Sequence, residues 1–332
     1  MPRSPATKPR RRSGERHGFT LVELMVSITL LAVIVGLLTT VFNTTTKAWT
    51  GTEGGNERRR GARSLTDFIG AELRGAMLPV TLSTQSGQPN LQMLINPPAT
   101  MVPEDCQNPH CIFWQAPLAT ERTLGDVAEL GYYVKWDDSD ASSVPSLRRF
   151  FVNPTVYDPA QRGPGRNSNF LIYSEREWLS ERLLSQVCPA TRERGYAGLF
   201  ADNVLGLWIR FYGLDGREIR KAPGSTVLAA EFDSRIGYTH QYRVDEQGRT
   251  KAEQRYLPLS ISVSIAQLDS RTAQKLERCA SSVRNMVRRT DIADAGEFLQ
   301  QFREASEKDV SLRSLLPGLQ VYETTVLLDN GR

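Results

Sequence analysis

The sequence predicts an α+β protein in which a long amino-terminal helix, apolar over its first half and amphipathic over its second, packs on an antiparallel β-sheet head. Three patterns carry this. Leu24 to Thr46 are 23 consecutive positions without an ionisable side chain. Leu65, Ile69, Leu73 and Met77 recur every four residues, the period of a helix with one apolar face. Val204–Tyr212 and Leu257–Ile265 alternate apolar and other residues with period two, the pattern of strands with one face in a core. The expected divisions are a leader at 1–18, a membrane-spanning helix at 19–49, an amphipathic helix at 50–78, and a β-rich head at 79–332 with a helical insertion at 271–316.

A helix over those 23 positions rises about 35 Å, enough for a hydrocarbon core of roughly 30 Å. Lys47 and Trp49 suit its polar boundary. Glu23 stands just inside this segment, where a carboxylate costs roughly 2.5–3.5 kcal/mol and needs a partner or a wet boundary. Thr20-Leu-Val-Glu23 also fits a capping box that opens a helix. An ordinary signal peptide is a further reading, although its apolar core is usually shorter and ends in a small-x-small site.

The run Gly18-Phe19-Thr20-Leu21-Val22-Glu23, after a leader rich in arginine, resembles the amino-terminal signature of the type IV pilin superfamily, the pilins and type II secretion pseudopilins. The resemblance implies cleavage after Gly18 by a prepilin peptidase, N-methylation of Phe19, and assembly with other pilin or pseudopilin subunits. It further implies an inner-membrane protein with a single span and a periplasmic head, later built into a pilus or pseudopilus. Physical chemistry fits: cleavage would free a positive amine at Phe19, about one helical turn from Glu23, and Gly18 lets an enzyme approach the backbone closely.

Charge is read after setting the leader aside. Residues 1–18 hold six basic side chains against Glu15, a net of +5, whereas the whole chain is +4, leaving about −1 on residues 19–332. The basicity belongs to targeting, positive charge being retained on the cytoplasmic side. No nucleic-acid partner is expected from what remains, and Arg58-Arg59-Arg60 reads as a solvated helix face.

Beyond the apolar stretch, Gly51, Gly54, Gly55 and Asn56 are expected to weaken or interrupt the helix, glycine costing up to about 1 kcal/mol each. The stripe that resumes at Glu57 has Phe68 beside it and Arg58, Arg59, Asp67 and Glu72 on the polar face; Pro79 stops it. Val80 to Gln107 reads as loop.

Strands are expected at Cys111–Gln115, Glu129–Trp136 and Leu147–Val152, the last two forming a hairpin across Asp137, Asp138 and Asp140. Those carboxylates could take calcium, but they lack the glycine and distal glutamate of a calcium loop. Asn153–Asn169 reads as loop, Phe170–Tyr173 as a short buried strand and Trp178–Val187 as a short helix. Val204–Tyr212 and Leu257–Ile265 are expected to keep one wet face, with Ser260, Ser262 and Ser264 outward on the second. Arg217–Tyr256 gives no clear signal. Leu276, Ala280, Val283 and Val287, then Phe298, Leu299 and Phe302, recur at helical spacing, and Gln320–Leu328 closes the chain as a strand.

Cys106 and Cys111 flank a loop-like stretch and could close a small disulfide in an oxidising compartment; buried thiols are the other reading. Their spacing is not that of a zinc or thioredoxin-like site, and His110 is a weak ligand hint. His240, in Tyr238-Thr-His-Gln-Tyr242, suits a sheet surface. The sequence has no Gly-x-Ser-x-Gly elbow, Walker-type phosphate loop or His-Glu-x-x-His, so no catalytic residue, metal site or cofactor is expected.

The Leu130-Gly-Tyr-Tyr-Val134 strand, the Asn203–Tyr212 strand with its Asp-Gly turn, and the Leu257–Ile265 strand together resemble the heads of J-type minor pseudopilins and W-type minor pilins. The insertion and the longer loops depart from them. A minor, tip-located subunit is what this second resemblance implies. The contrasting class is a signal-anchored periplasmic enzyme or ligand-binding protein.

Overall fold

The computed structural model describes residues 21–77, 93–98, 102, 106, 110–120, 125–136, 144–154, 157–158, 163–164, 179, 184, 196–219, 231–234, 236–244 and 249–328, without the side chains of 23, 43–63, 157–158, 163–164 and 243. It divides into two compact units, one up to Arg59 and one from Arg60 onward. The aspartates at 137–140, the strand expected at 170–173 and nearly all of the helix expected at 178–187 lie outside the described residues.

Helix α1 runs unbroken over Leu21–Arg74, so the expected interruption at Gly51, Gly54, Gly55 and Asn56 does not occur. Glycine lowers helix stability but keeps its N–H donor; only proline removes one. The end is tightened by hydrogen bonds from Gly75 N–H to Glu72 O at 3.1 Å and from Ala76 N–H to Leu73 O at 2.9 Å. Met77 N–H then donates to Gln115 O at 3.0 Å, which ties the helix exit to the sheet.

The strands are β1 (Leu94–Ile95), β2 (Cys111–Ala116), β3 (Ala128–Lys135), β4 (Ser146–Val152), β5 (Tyr157–Asp158), β6 (Gly163–Pro164), β7 (Ala197–Asp202), β8 (Val204–Tyr212), β9 (Phe232–Asp233), β10 (Tyr238–Arg243), β11 (Thr250–Arg255), β12 (Ser260–Leu268) and β13 (Leu319–Leu327). Six of them form a sheet in the order β7-β4-β3-β2-β1-β9, and three more the order β13-β12-β8. Every pairing in both is antiparallel. The strand expectations at β2, β3, β4, β8 and β13 are met within about three residues, and β3 pairs with β4 as a hairpin. In contrast, β1 falls in a stretch read as loop, and the β10–β11 hairpin in one that gave no signal.

The two sheets share one main core. Ile112, Trp114, Leu130, Tyr132, Val134 and Leu147 from the larger sheet meet Leu205, Leu207, Ile209 and Phe211 of β8 and Ile261, Val263 and Ile265 of β12. Ile69 and Leu73 of α1, with Ala76 just beyond its end, enter the same core, and Gly70 lies close to Val326 of β13. On its other face the larger sheet carries a second, smaller cluster with Phe113, Tyr133, Phe150 and Tyr196. Phe113 lies directly over Gly131, where an added Cβ would come within 2.3 Å of the ring.

After β12 the chain leaves the sheet at Asp269 and returns at Gly318, whose carbonyl accepts the Asp269 N–H at 3.0 Å. Between them lie α2 (Ala280–Val287), α3 (Ala295–Lys308) and several single turns. This module corrects the wet face expected for β12. Ser262 and Ser264 are buried, and Ser264 Oγ accepts the Ala295 N–H at 3.0 Å. Beside it, Trp208 packs on Phe298 with ring centroids 5.0 Å apart.

Candidate functional site

The site with a chemical signature is the amino-terminal end of α1. Gly18 and Phe19 lie outside the described residues, and Glu23 sits in the first turn of the helix, its side chain likewise outside them. Leu24–Phe42 is long and apolar enough to cross a membrane. Its large apolar side chains are exposed on all sides, as suits a helix surrounded by lipid or by other helices. Polar groups within it are satisfied internally: the hydroxyls of Thr29, Thr39 and Thr40 donate to Val26 O, Val35 O and Gly36 O at 2.8–2.9 Å. Such bonds are what a segment away from water requires.

Within the head, the end of α1 is held by a charged triad that sequence reasoning missed. Glu72, expected on the polar face, is buried against the sheet. Its carboxylate accepts the Tyr132 hydroxyl at 2.5 Å and the Arg149 Nη2–H at 2.5 Å, with Arg149 Nε–H at 3.2 Å completing a two-pronged contact. The Arg149 guanidinium also lies over the Phe151 ring, 4.6 Å from its centre. Burial and then the neighbouring Glu72 charge hold the Tyr132 hydroxyl far above the ordinary phenol range, so it stays protonated and donates. Burial alone would lower Arg149, but the hydrogen bond and charge of Glu72 outweigh it and raise it. Phe68, by contrast, is nearly half exposed, with its ring 5.3 Å from Phe200. No sequence signal separated Glu72 from its solvated neighbours, because its partners lie 60 and 77 residues away.

The other candidates take structural places. His110 is buried with its ring 6.2 Å from Trp208, and burial pushes its pKa down to about 3, so it is neutral near pH 7. His240 is in β10, stacked on Tyr242 at 5.7 Å, a sheet-surface position as expected. Cys106 and Cys111 are buried in the smaller cluster. Arg58, Arg59 and Arg60 belong to α1. Among the described residues no three His, Cys, Asp or Glu side chains group to hold a metal ion. Two further groups, one buried and one half-buried, had no sequence signal. Glu129 faces Gln115 across β2 and β3, its carboxyl pushed well up by burial. Arg210 of β8 bridges Glu218 at 3.2 Å and Asp294 at 3.1 Å, which ties the helical module to the sheet.

Residues 15–39 match the prokaryotic N-terminal methylation motif. No curated protein and no solved structure matches the chain. The motif is a prepilin signal of the type IV pilin kind, and with the apolar helix it fits a membrane-anchored protein. A signal of this kind suggests a structural protein, and implies processing by prepilin peptidase and assembly with other pilins.

Proposed function

We propose that this chain is a minor pilin or pseudopilin, a structural subunit of a type IV pilus or a type II secretion pseudopilus that acts at the tip or in starting the filament. The observation that carries the reading is a methylation motif at residues 15–39 running directly into an apolar helix whose side chains face outward. In this reading prepilin peptidase cuts after Gly18, Phe19 is N-methylated, and its positive amine, or that of a neighbouring subunit, pairs with Glu23. An unpaired carboxylate at that depth is costly, so the pair sets the axial position of one subunit against the next. The leader's net of +5 stays on the cytoplasmic side and leaves the head in the periplasm. Support for the tip role comes from the strand patterns of β3, β8 and β12, which resemble the heads of J-type and W-type minor subunits.

The test is the mature amino terminus of the native protein, read by mass spectrometry. An N-methylated Phe19 is expected. An intact Met1, or a cut within Leu37–Ala48, would return the chain to the class of signal-anchored periplasmic binding proteins or enzymes.

A further inference from the structure

We infer, from the head alone and independently of the filament reading, that two copies of this chain pair edge to edge through β13, with a two-fold axis at Thr324. β13 stands at one end of its sheet, in the order β13-β12-β8. It is nine residues long, and its ladder with β12 runs from Ser260↔Leu327 to Leu268↔Leu319 without a bulge. Asp269 N–H donates to Gly318 O at one end of that ladder, and Leu328 N–H to Leu259 O at the other. Antiparallel pairs alternate, so the backbone groups of Gln320, Tyr322, Thr324 and Val326 face β12, and those of Val321, Glu323, Thr325 and Leu327 point away from it. Among the described residues no backbone group bonds to that outward row.

A long bare edge is a template for another strand, and proteins usually guard against it. The other edges here are guarded. β5, β6 and β9 are each two residues long, and β7 meets β4 with a shift of register. β8 is closed by its own following loop, where Ile219 N–H donates to Phe211 O at 3.0 Å. The β10–β11 hairpin carries Lys251, Glu253 and Arg255. β13 has no proline, glycine or lysine. Its one charged residue is turned back toward β12, since Glu323 accepts the Ser262 hydroxyl at 2.6 Å. Leu327, meanwhile, is 53% exposed.

The strand is also complementary to itself. Antiparallel pairing about Thr324 sets Val321 against Leu327, Tyr322 against Val326, Glu323 against Thr325, and Thr324 against its own copy. Apolar pairs, an aromatic beside a β-branched residue and paired threonines are all favourable across a sheet, and no glutamate faces a glutamate. The outward backbone groups of each copy then satisfy those of the other, and the two three-stranded sheets join end to end. A second copy brings this matching pattern by identity. Because a two-fold contact uses the same patch on both chains, it also closes the edge to further strands.

The test uses full-length protein in detergent, with sedimentation velocity for mass and mapped disulfides for register. Thr324 and its copy would form a non-hydrogen-bonded pair with Cα atoms about 4.5 Å apart, within disulfide range. Thr324→Cys oxidised with diamide is therefore expected to give a dimer linked from residue 324 to residue 324. Gln320→Cys, set against the copy's Leu328, is expected to give no such link. The parent should sediment at twice the single-chain mass, and Leu327→Lys, which puts a charge on the exposed edge, at the single-chain mass. A monomeric parent, a dimer that survives Leu327→Lys, or residue 320 linking to its copy as readily as residue 324 overturns the inference. The amino terminus is mapped in the same sample. An intact Met1 beside the 324 link refutes the filament reading and upholds the pairing, whereas a processed Phe19 without that link refutes the pairing alone.

Discussion

Arg149 of β4 reaches across 77 residues of sequence to place its Nη2 2.5 Å from the carboxylate of Glu72 on α1. The contact welds the last turn of the long helix to the middle of the larger sheet. Removing one partner should cost far more than the pair itself contributes, since a charge is left behind in a largely dry site. Glu72→Ala is expected to destabilise the head by about 2–4 kcal/mol. In denaturant titration of detergent-solubilised protein, the Glu72→Ala, Arg149→Met double variant should lose less than the sum of the single variants. Additive losses would show that the two side chains do not act together.

A pH effect follows from His110. Its pKa of about 3 in the folded chain lies below the ordinary value of 6.5, so the unfolded chain binds the extra proton between those values. Stability from this residue is therefore complete above pH 6.5 and is lost as pH falls toward 3, by about 2 kcal/mol on going from pH 7 to pH 5. His110→Phe should flatten that part of the curve of unfolding midpoint against pH. An unchanged slope would rule out His110 as its source.

Glu129 acts in the opposite sense. Burial raises its pKa above the ordinary 4.5, and the facing Gln115 side chain offsets this only in part. The folded chain holds the proton that the unfolded chain gives up, so stability from this group is present below pH 4.5 and is lost as pH rises. Glu129→Gln should therefore stabilise the protein increasingly from pH 5 to pH 8, read as a widening gap in unfolding midpoint from the parent. A constant gap would show that the carboxyl is already ionised in the fold.

Gly131 gives a steric prediction. Gly131→Ala would place a methyl group 2.3 Å from the Phe113 ring and 2.8 Å from Ile112 O, in the middle of the larger sheet. The expected loss is about 1–3 kcal/mol. A Phe113→Leu background should recover part of it by opening space, as thermal melts would show.

Glu23→Ala, finally, is expected to leave the head folded, because Glu23 belongs to the other compact unit, and to reduce incorporation into filaments at least tenfold, about 1.4 kcal/mol per contact. Immunoblots of sheared filaments against whole cells would check this. Normal incorporation would mean that the charge does not align subunits.

What could be read from the sequence were the features whose cause is local. The apolar run of α1, the alternation of β8 and the helical spacing around Phe298 and Phe302 each declare themselves within ten to twenty residues, and each is found. Features decided by distant partners stayed hidden. Glu72 looked solvated because Tyr132 and Arg149 could not be foreseen. Ser262 and Ser264 looked outward because nothing in β12 announces that α3 covers them. The hairpin of β10 and β11 was missed for another reason. Its strands bury almost nothing, so lysine, glutamate and arginine blur the period-two pattern that burial would have imposed.

The return of the chain from Asp269 to Gly318 has a structural corollary. Leu268 and Leu319 are cross-strand partners, so everything between them departs from and rejoins the sheet at the two ends of a single rung. A short turn could bridge that rung, and β12 and β13 would still be adjacent strands. The helical module is thus threaded into a single closed rung, so the strand register is set without it while Phe298 and Phe302 complete the core above that rung.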